Sequence, residues 1–168
     1  DLDYTDNRFL PTRGWIARWL GNYSHPEMGS SDGVEFVQTE ASYTFYKRFG
    51  SPDYVWANSF RGGYVANLST DSNGGVPPTY SFVLGGISTI RGFDIATENE
   101  RLPKQRDAGF EILGSTQRLI KTDSHFYLFK SELRFPIYEE HGGVIFYDGG
   151  AVLVSGYNFQ RPYRDAVG

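Results

Sequence analysis

Two features are missing from this sequence of 168 residues: cysteine, and any long apolar run. The absence of cysteine suits an oxidising cell envelope, although many cytosolic proteins also lack this residue. No apolar run approaches the roughly 18 residues that a membrane-spanning helix requires, and the mean hydropathy is -0.43. The sequence therefore excludes a helical membrane protein. It does not exclude a membrane barrel, in which only every second strand residue meets lipid.

A basic stripe is also missing. The formal net charge is -4 and the isoelectric point is near 5.3, whereas nucleic-acid-binding domains usually carry clustered positive charge. We therefore expect no nucleic-acid partner.

Aromatic residues and glycine are abundant instead. The chain has 12 Tyr, 13 Phe, 3 Trp and 20 Gly, a mixture that favours β-strands. Apolar and polar residues alternate in several segments, as in strands with one apolar and one polar face. Short turns join the first three segments, which predicts an antiparallel meander. Strands are predicted at about 14–24, 33–49, 54–68, 124–137 and 143–155.

A long segment, about residues 69–123, interrupts this pattern. It contains Asn73-Gly74-Gly75, Pro77-Pro78 and many charges, and it is far longer than a hairpin loop. Segments of this length inside a domain are usually functional or disordered. We expect this one to fold into the lumen of a barrel.

The number of strands is too small for a complete membrane barrel. Five clear strands and the start of a sixth, near Arg164, fall short of the eight or so that a barrel needs to close. We expect residues 1–168 to form a single partial domain, an excerpt of a larger antiparallel transmembrane β-barrel. The alternative is that several copies close one barrel together.

Three short motifs follow one another along the chain. Alternation along the strands directs the carboxylates of Glu132, in the second motif, and Asp148, in the third, to the polar face of their strands. An arginine held by two carboxylates forms strong, geometrically specific hydrogen bonds, so we predict a latch in which Arg91 binds Glu132 and Asp148. The alternative is that Arg91 is an exposed arginine in a turn, without a specific partner. The first motif is Gly85-Gly86 followed by Ile90-Arg91-Gly92-Phe93, the second is Glu132-Leu133-Arg134-Phe135-Pro136, and the third is Phe146-Tyr147-Asp148-Gly149-Gly150.

The glycines near the predicted latch have a structural interpretation in either case, because they allow turns and close backbone approach. Phe93 has two alternatives. It either faces lipid or the core like the other aromatic residues, or packs inside the lumen with the loop.

The order and spacing of these motifs resemble the outer membrane protein 85 superfamily, which includes BamA, TamA and the two-partner secretion transporters. In that family a lumen loop carries Val/Ile-Arg-Gly-Phe/Tyr after paired glycines, and a later strand carries Phe-x-Asp-x-Gly. Residues 85–93 and 146–150 match these patterns, Glu132 matches the acidic residue between them, and Pro11-Thr12-Arg13-Gly14 is similar to the start of a middle strand. The resemblance implies a sixteen-stranded barrel, of which this chain holds roughly the ninth strand to the start of the fourteenth.

The resemblance also implies a function and a location. It predicts an assembly factor of BamA type in the bacterial outer membrane, which folds client proteins into that membrane. Expected partners are client polypeptides and the lipid bilayer, together with accessory lipoproteins or further copies of the chain. The first alternative is a polypeptide secretion transporter of the same superfamily. Two others are a soluble β-barrel that binds an apolar ligand and a small porin or adhesin whose resemblance is accidental.

No enzymatic site is predicted. His25, His125 and His141 share no metal-ligand spacing, and no serine lies in a Gly-x-Ser-x-Gly motif. We therefore expect no catalytic residue, no metal and no cofactor.

Overall fold

A computed structural model gives the fold for most of the chain. It describes residues 1–50, 54–72, 74–82, 84–93, 110–113, 117–138, 141–156 and 162–168. Residues 51–53, in the short turn predicted between the second and third strands, lie outside the described residues, as does much of the predicted loop.

The described residues form nine strands and two short 3-10 helices, Pro26–Met28 and Pro78–Tyr80, with no α-helix among them. None of these helices is long or apolar enough to span a membrane. The strands are β1 (Leu2–Asp3), β2 (Gly14–Ser24), β3 (Phe36–Arg48), β4 (Val55–Asn67), β5 (Phe110–Leu113), β6 (Gln117–Ile120), β7 (Ser124–Tyr138), β8 (His141–Val154) and β9 (Tyr163–Val167).

Seven of these strands form one antiparallel sheet in the order β1-β2-β3-β4-β7-β8-β9, and β5 pairs with β6 as a separate hairpin. The predicted all-β antiparallel fold is thus confirmed. Within the described residues the sheet does not close on itself. The sequence pattern gave no sign of β1 or of the β5–β6 hairpin inside the long segment.

One face of the sheet is strongly aromatic. The register places Ala17 opposite Tyr43, Tyr43 opposite Phe60, and Phe60 opposite Phe129, so these side chains lie in one row across four strands. An exposed apolar patch of this extent is unusual for a soluble monomer, and it suits contact with lipid. Further exposed aromatic residues of this outer face are Trp19, Tyr23, Trp56, Tyr64 and Tyr127.

The opposite, inner face is covered by the long connection between β4 and β7. Val76 and Ile120 of this connection form an antiparallel bridge, which holds the two ends of the segment together. The side chains that it buries against the strands form an apolar cluster, here called the loop cluster. Its members are Val34, Phe36, Val65, Val76, Phe82, Leu84, Ile90, Leu119, Ile120, Phe126 and Leu128.

The connections between strands differ in length between the two ends of the strands. Residues 25–35, 68–123 and 155–162 connect strands at one end, whereas residues 4–13, 49–54 and 139–140 connect them at the other. Tyr138 already pairs with His141, so β7 and β8 extend beyond the strand ends predicted at 137 and 143. A register shift between Pro136 and Tyr138 accommodates the proline, which has no N–H for the ladder.

The segment before β2 is fixed by Asp6. Its carboxylate accepts hydrogen bonds from the backbone N–H groups of Thr12 and Arg13, at 2.9 and 3.0 Å, and from the Thr12 hydroxyl. These bonds lower the pKa of Asp6, the Thr12 hydroxyl contributing most. Gly14 follows with φ of +106°, and a Cβ there would lie 2.1 Å from the Tyr4 carbonyl oxygen. The Pro-Thr-x-Gly pattern therefore corresponds to a close backbone crossing.

Candidate functional site

The segment Gly85–Phe93, here called the loop tip, is closed by its own hydrogen bonds. The Gly86 N–H donates to the Phe93 carbonyl at 2.7 Å. The Thr89 hydroxyl accepts from the Gly85 N–H and donates to the Gly85 carbonyl, both at 2.7 Å. Gly86 and Gly92 have φ of +83° and +85°, a conformation that favours glycine. The paired glycines and the glycine after Arg91 thus allow the chain to turn twice within nine residues.

Apolar side chains seat the loop tip on the inner face. Ile90 is completely buried and belongs to the loop cluster, and Leu84 just before the tip is 5% exposed. Phe93 packs against the same cluster. Of the two alternatives for Phe93, the structure therefore places it on the inner face, with the loop.

Gly150 permits this close approach. A Cβ at position 150 would lie 2.5 Å from the Tyr127 carbonyl oxygen and 3.1 Å from the Leu84 Cδ1 atom. The neighbouring strand and the loop therefore both occupy the space that a side chain would need.

We expect Gly150→Ala to lower the free energy of unfolding by about 1 to 3 kcal/mol, because the methyl group would force β7 and β8 apart. The measurement is the temperature at which the folded, fast-migrating band of the intact purified protein disappears on electrophoresis. Gly62→Ala is the matched control. Its Cβ would lie at an ordinary 3.4 Å from the Phe126 carbonyl oxygen. If both variants lowered this temperature equally, Gly150 would not be specifically required for the close approach of the neighbouring strand and the loop.

Arg91 projects from the loop tip onto Asp148 of β8. Its Nε and Nη2 atoms donate to the two carboxylate oxygens, each at 2.7 Å, and its backbone N–H donates to Oδ2 at 3.1 Å. The Asp148 side chain is fully buried. Three hydrogen bonds thus join one loop residue to one wall residue, in the forked geometry that fixes orientation as well as distance.

The third nitrogen of the guanidinium binds Glu132 of β7. Arg91 Nη1 lies 2.9 Å from Glu132 Oε1, and the other Glu132 oxygen lies 3.0 Å from Arg134 Nη2. The guanidinium carbon also lies 3.6 Å from the centroid of the Phe146 ring, within the range of a cation–π contact. The hydrogen bonds to Asp148 raise the pKa of Arg91 above its ordinary value. Arg91 therefore remains charged.

Strand register explains why these groups meet. Glu132 pairs with Phe146, and Lys130 pairs with Asp148, so all four side chains lie on the inner face in adjacent rows. The structure thus brings together Arg91, Glu132, Asp148 and Phe146, with Gly85, Gly86, Gly92, Phe93 and Gly150 around them.

Sequence reasoning left three contributors out of the site, and it gave no anchoring role to Ile90 of the first motif. Lys130 donates to the Ile87 carbonyl at 3.3 Å and lies 4.0 Å from Asp148. Arg134 shares Glu132, Thr89 closes the loop tip, and Ile90 anchors it. Lys130 and Arg134 were visible as alternate residues on the polar face, but only the position of the loop shows what they contact.

Comparison with known proteins identifies the family of this chain. The model of the Omp85 superfamily domain matches residues 1–167. The chain belongs to the Omp85 superfamily. It is also 25% identical over 166 residues to an outer membrane protein assembly factor BamA from Nitratidesulfovibrio vulgaris, strain Hildenborough. That alignment covers 99% of this chain and 19% of the relative, so the chain spans about a fifth of its length. No solved structure shows significant similarity to this chain.

Membership of the Omp85 superfamily places the chain in the bacterial outer membrane. This location agrees with the exposed aromatic face of the sheet. It excludes the soluble ligand-binding barrel considered from composition, and the superfamily match excludes an accidental resemblance.

Proposed function

We propose that this Omp85 chain forms part of the wall of a sixteen-stranded outer-membrane barrel. Its outer face carries the exposed aromatic residues that lipid would cover, and its inner face carries the latch. An unpaired sheet edge is costly in hydrocarbon, so further strands are needed to close the sheet. The short connections 49–54 and 139–140 would face the periplasm, and the long ones the cell exterior.

We further propose that the barrel assembles client proteins into the outer membrane. The observation that carries this proposal is the alignment of nearly the whole chain with a BamA assembly factor, in a family whose motifs here converge on one site. The work would be mechanical: client strands pair with an exposed strand edge of the barrel, without covalent chemistry or a cofactor. Client polypeptides and lipid would be the main partners, with accessory lipoproteins or further copies of the chain beside them.

The latch would keep the loop at a defined position inside the lumen. Arg91 makes hydrogen bonds or ion pairs to carboxylates on two neighbouring strands, β7 and β8, so the loop tip also ties these strands to each other. Because β7 and β8 would be held together in this way, any opening of the barrel wall would occur between other strands.

Depletion of the intact protein in its own cells tests this function. We expect newly made outer-membrane barrels to lose their heat-modifiable electrophoretic mobility, which reports folding, before growth slows. The measurement is pulse labelling followed by electrophoresis with and without boiling, with a soluble periplasmic protein as the control for export across the inner membrane.

A secretion transporter would give a different result. Client barrels would fold normally, while one or a few secreted polypeptides would accumulate in the periplasm. Normal barrel folding together with normal secretion would contradict both functions.

A further inference from the structure

We propose that Lys130 and Arg134 are replacement counter-ions that hold Asp148 and Glu132 when the loop tip leaves the wall, which makes the latch releasable. This inference rests on the proposed arrangement of a loop latched inside a barrel. It assigns a role to two cations that the latch itself does not require.

The first observation concerns Asp148. Its side chain is fully buried, and a buried carboxylate without a positive partner strongly destabilises a folded protein. If Arg91 were its only partner, release of the loop would leave that charge uncompensated. Lys130 Nζ lies 4.0 Å from Asp148 Oδ2, on the paired residue of the adjacent strand. After release of the loop, a rotation of the lysine side chain would bring its ammonium group into direct contact with the carboxylate.

The second observation concerns Glu132. Its two oxygens are divided between two arginines, with Arg91 Nη1 at 2.9 Å from one and Arg134 Nη2 at 3.0 Å from the other. Arg134 Nε lies 3.3 Å from the same oxygen as Nη2. Glu132 therefore keeps a charged partner whether or not Arg91 is present.

The third observation is which element carries each cation. Arg91 belongs to the loop, whereas Lys130 and Arg134 belong to β7, the strand that also carries Glu132. Their side chains are 18% and 31% exposed, and because both residues belong to the wall they would stay beside the carboxylates when the loop leaves. Release of the loop thus removes one of three cations and leaves two carboxylates with two partners.

This arrangement predicts that removal of the Lys130 charge changes the frequency of loop release in the direction opposite to that expected from a purely structural role. In the latched state Asp148 already accepts three hydrogen bonds from Arg91, and Lys130, 4.0 Å away, attracts Asp148 but also repels Arg91, so its charge favours this state less than it favours the released one. In the released state Lys130 is the main partner of Asp148. Loss of the charge at 130 should therefore make release rarer. A purely structural role, through the hydrogen bond from Lys130 to the Ile87 carbonyl, predicts the opposite, a looser loop.

The experiment measures release in the intact protein, purified in detergent, with Leu128→Cys as its only cysteine. Leu128 is 4% exposed beneath the loop, so the rate of thiol modification at position 128 reports uncovering of the wall. We expect Lys130→Met to slow modification about tenfold or more, because a charged hydrogen bond is lost from the released state. Lys130→Arg should restore the original rate. An unchanged or faster rate for Lys130→Met would overturn the inference.

A second comparison uses folding of the barrel. Arg91→Ala alone should still give a heat-modifiable band, because Lys130 and Arg134 remain, whereas Arg91→Ala with Lys130→Met should lose it. Equal amounts of folded barrel from the single and double variants would overturn the inference. Client assembly is scored separately: the modification rates test the replacement counter-ions, whereas the depletion experiment above tests the proposed function, so failure of either one can be recognised without the other.

Discussion

Replacing Asp148 with alanine is expected to release the loop and to lower the free energy of unfolding by about 3 to 5 kcal/mol, the usual cost of breaking a buried ion pair. Arg91 would lose three hydrogen bonds, two from its side chain and one from its backbone N–H. Lys130 would then face Arg91 as a like charge without the carboxylate between them. Thermal loss of the heat-modifiable band in the intact protein measures the destabilisation, and protease digestion from outside intact cells measures exposure of the loop.

Glu40→Ala provides the matched control for this experiment. Glu40 also lies on the inner face and also binds an arginine at 2.7 Å, Arg61 of the neighbouring strand. Both side chains of that pair are partly exposed, at 21% and 36%, so we expect a cost of about 1 kcal/mol or less. Asp148→Asn should lie between the two, since the amide oxygen can still accept from Arg91. If Glu40→Ala were as damaging as Asp148→Ala, the latch would not be what holds the loop.

The placement of Glu132 and Asp148 shows how far the sequence alone could reach. The side-chain period of a strand is two, so their neighbours in sequence decide which face they occupy. Tyr147 beside Asp148 is outer and aromatic, which makes Asp148 inner. The antiparallel meander was likewise predicted from a local feature, the short turns between the first three strands. Both inferences needed only local pattern, and the orientation of the strands in the structure agrees with them.

The loop illustrates what local pattern could not supply. No periodicity distinguishes Ile90, which is completely buried, from Ile87, which is 85% exposed three residues earlier. The pairing of Val76 with Ile120 spans more than forty residues, and the β5–β6 hairpin lies in a segment that reads as polar and charged. Such contacts depend on which wall the loop meets. Resemblance to a family directed attention to Arg91, whereas the roles of Thr89, Lys130 and Arg134 required coordinates.

Ile90→Ala is expected to give the second largest effect, because it removes the apolar anchor of the loop tip. Ile90 is buried within the loop cluster, and truncation of a buried isoleucine to alanine costs about 2 to 5 kcal/mol through lost burial and the cavity that remains. The ion pairs of Arg91 are unchanged in this variant. A loop that detaches as a result would show that packing and the latch hold it jointly, since neither then suffices alone.

Ile87→Ala is the control, with the same change of side chain three residues away. Ile87 is 85% exposed, so its truncation should change the free energy of unfolding by less than about 0.5 kcal/mol. Its carbonyl still accepts from Lys130, because that contact involves the backbone. Both variants would be compared by thermal loss of the heat-modifiable band and by proteolysis of the loop in intact cells. If Ile90→Ala behaved like Ile87→Ala in both assays, the loop would be held by Arg91 alone, and the loop cluster would contribute nothing to its position.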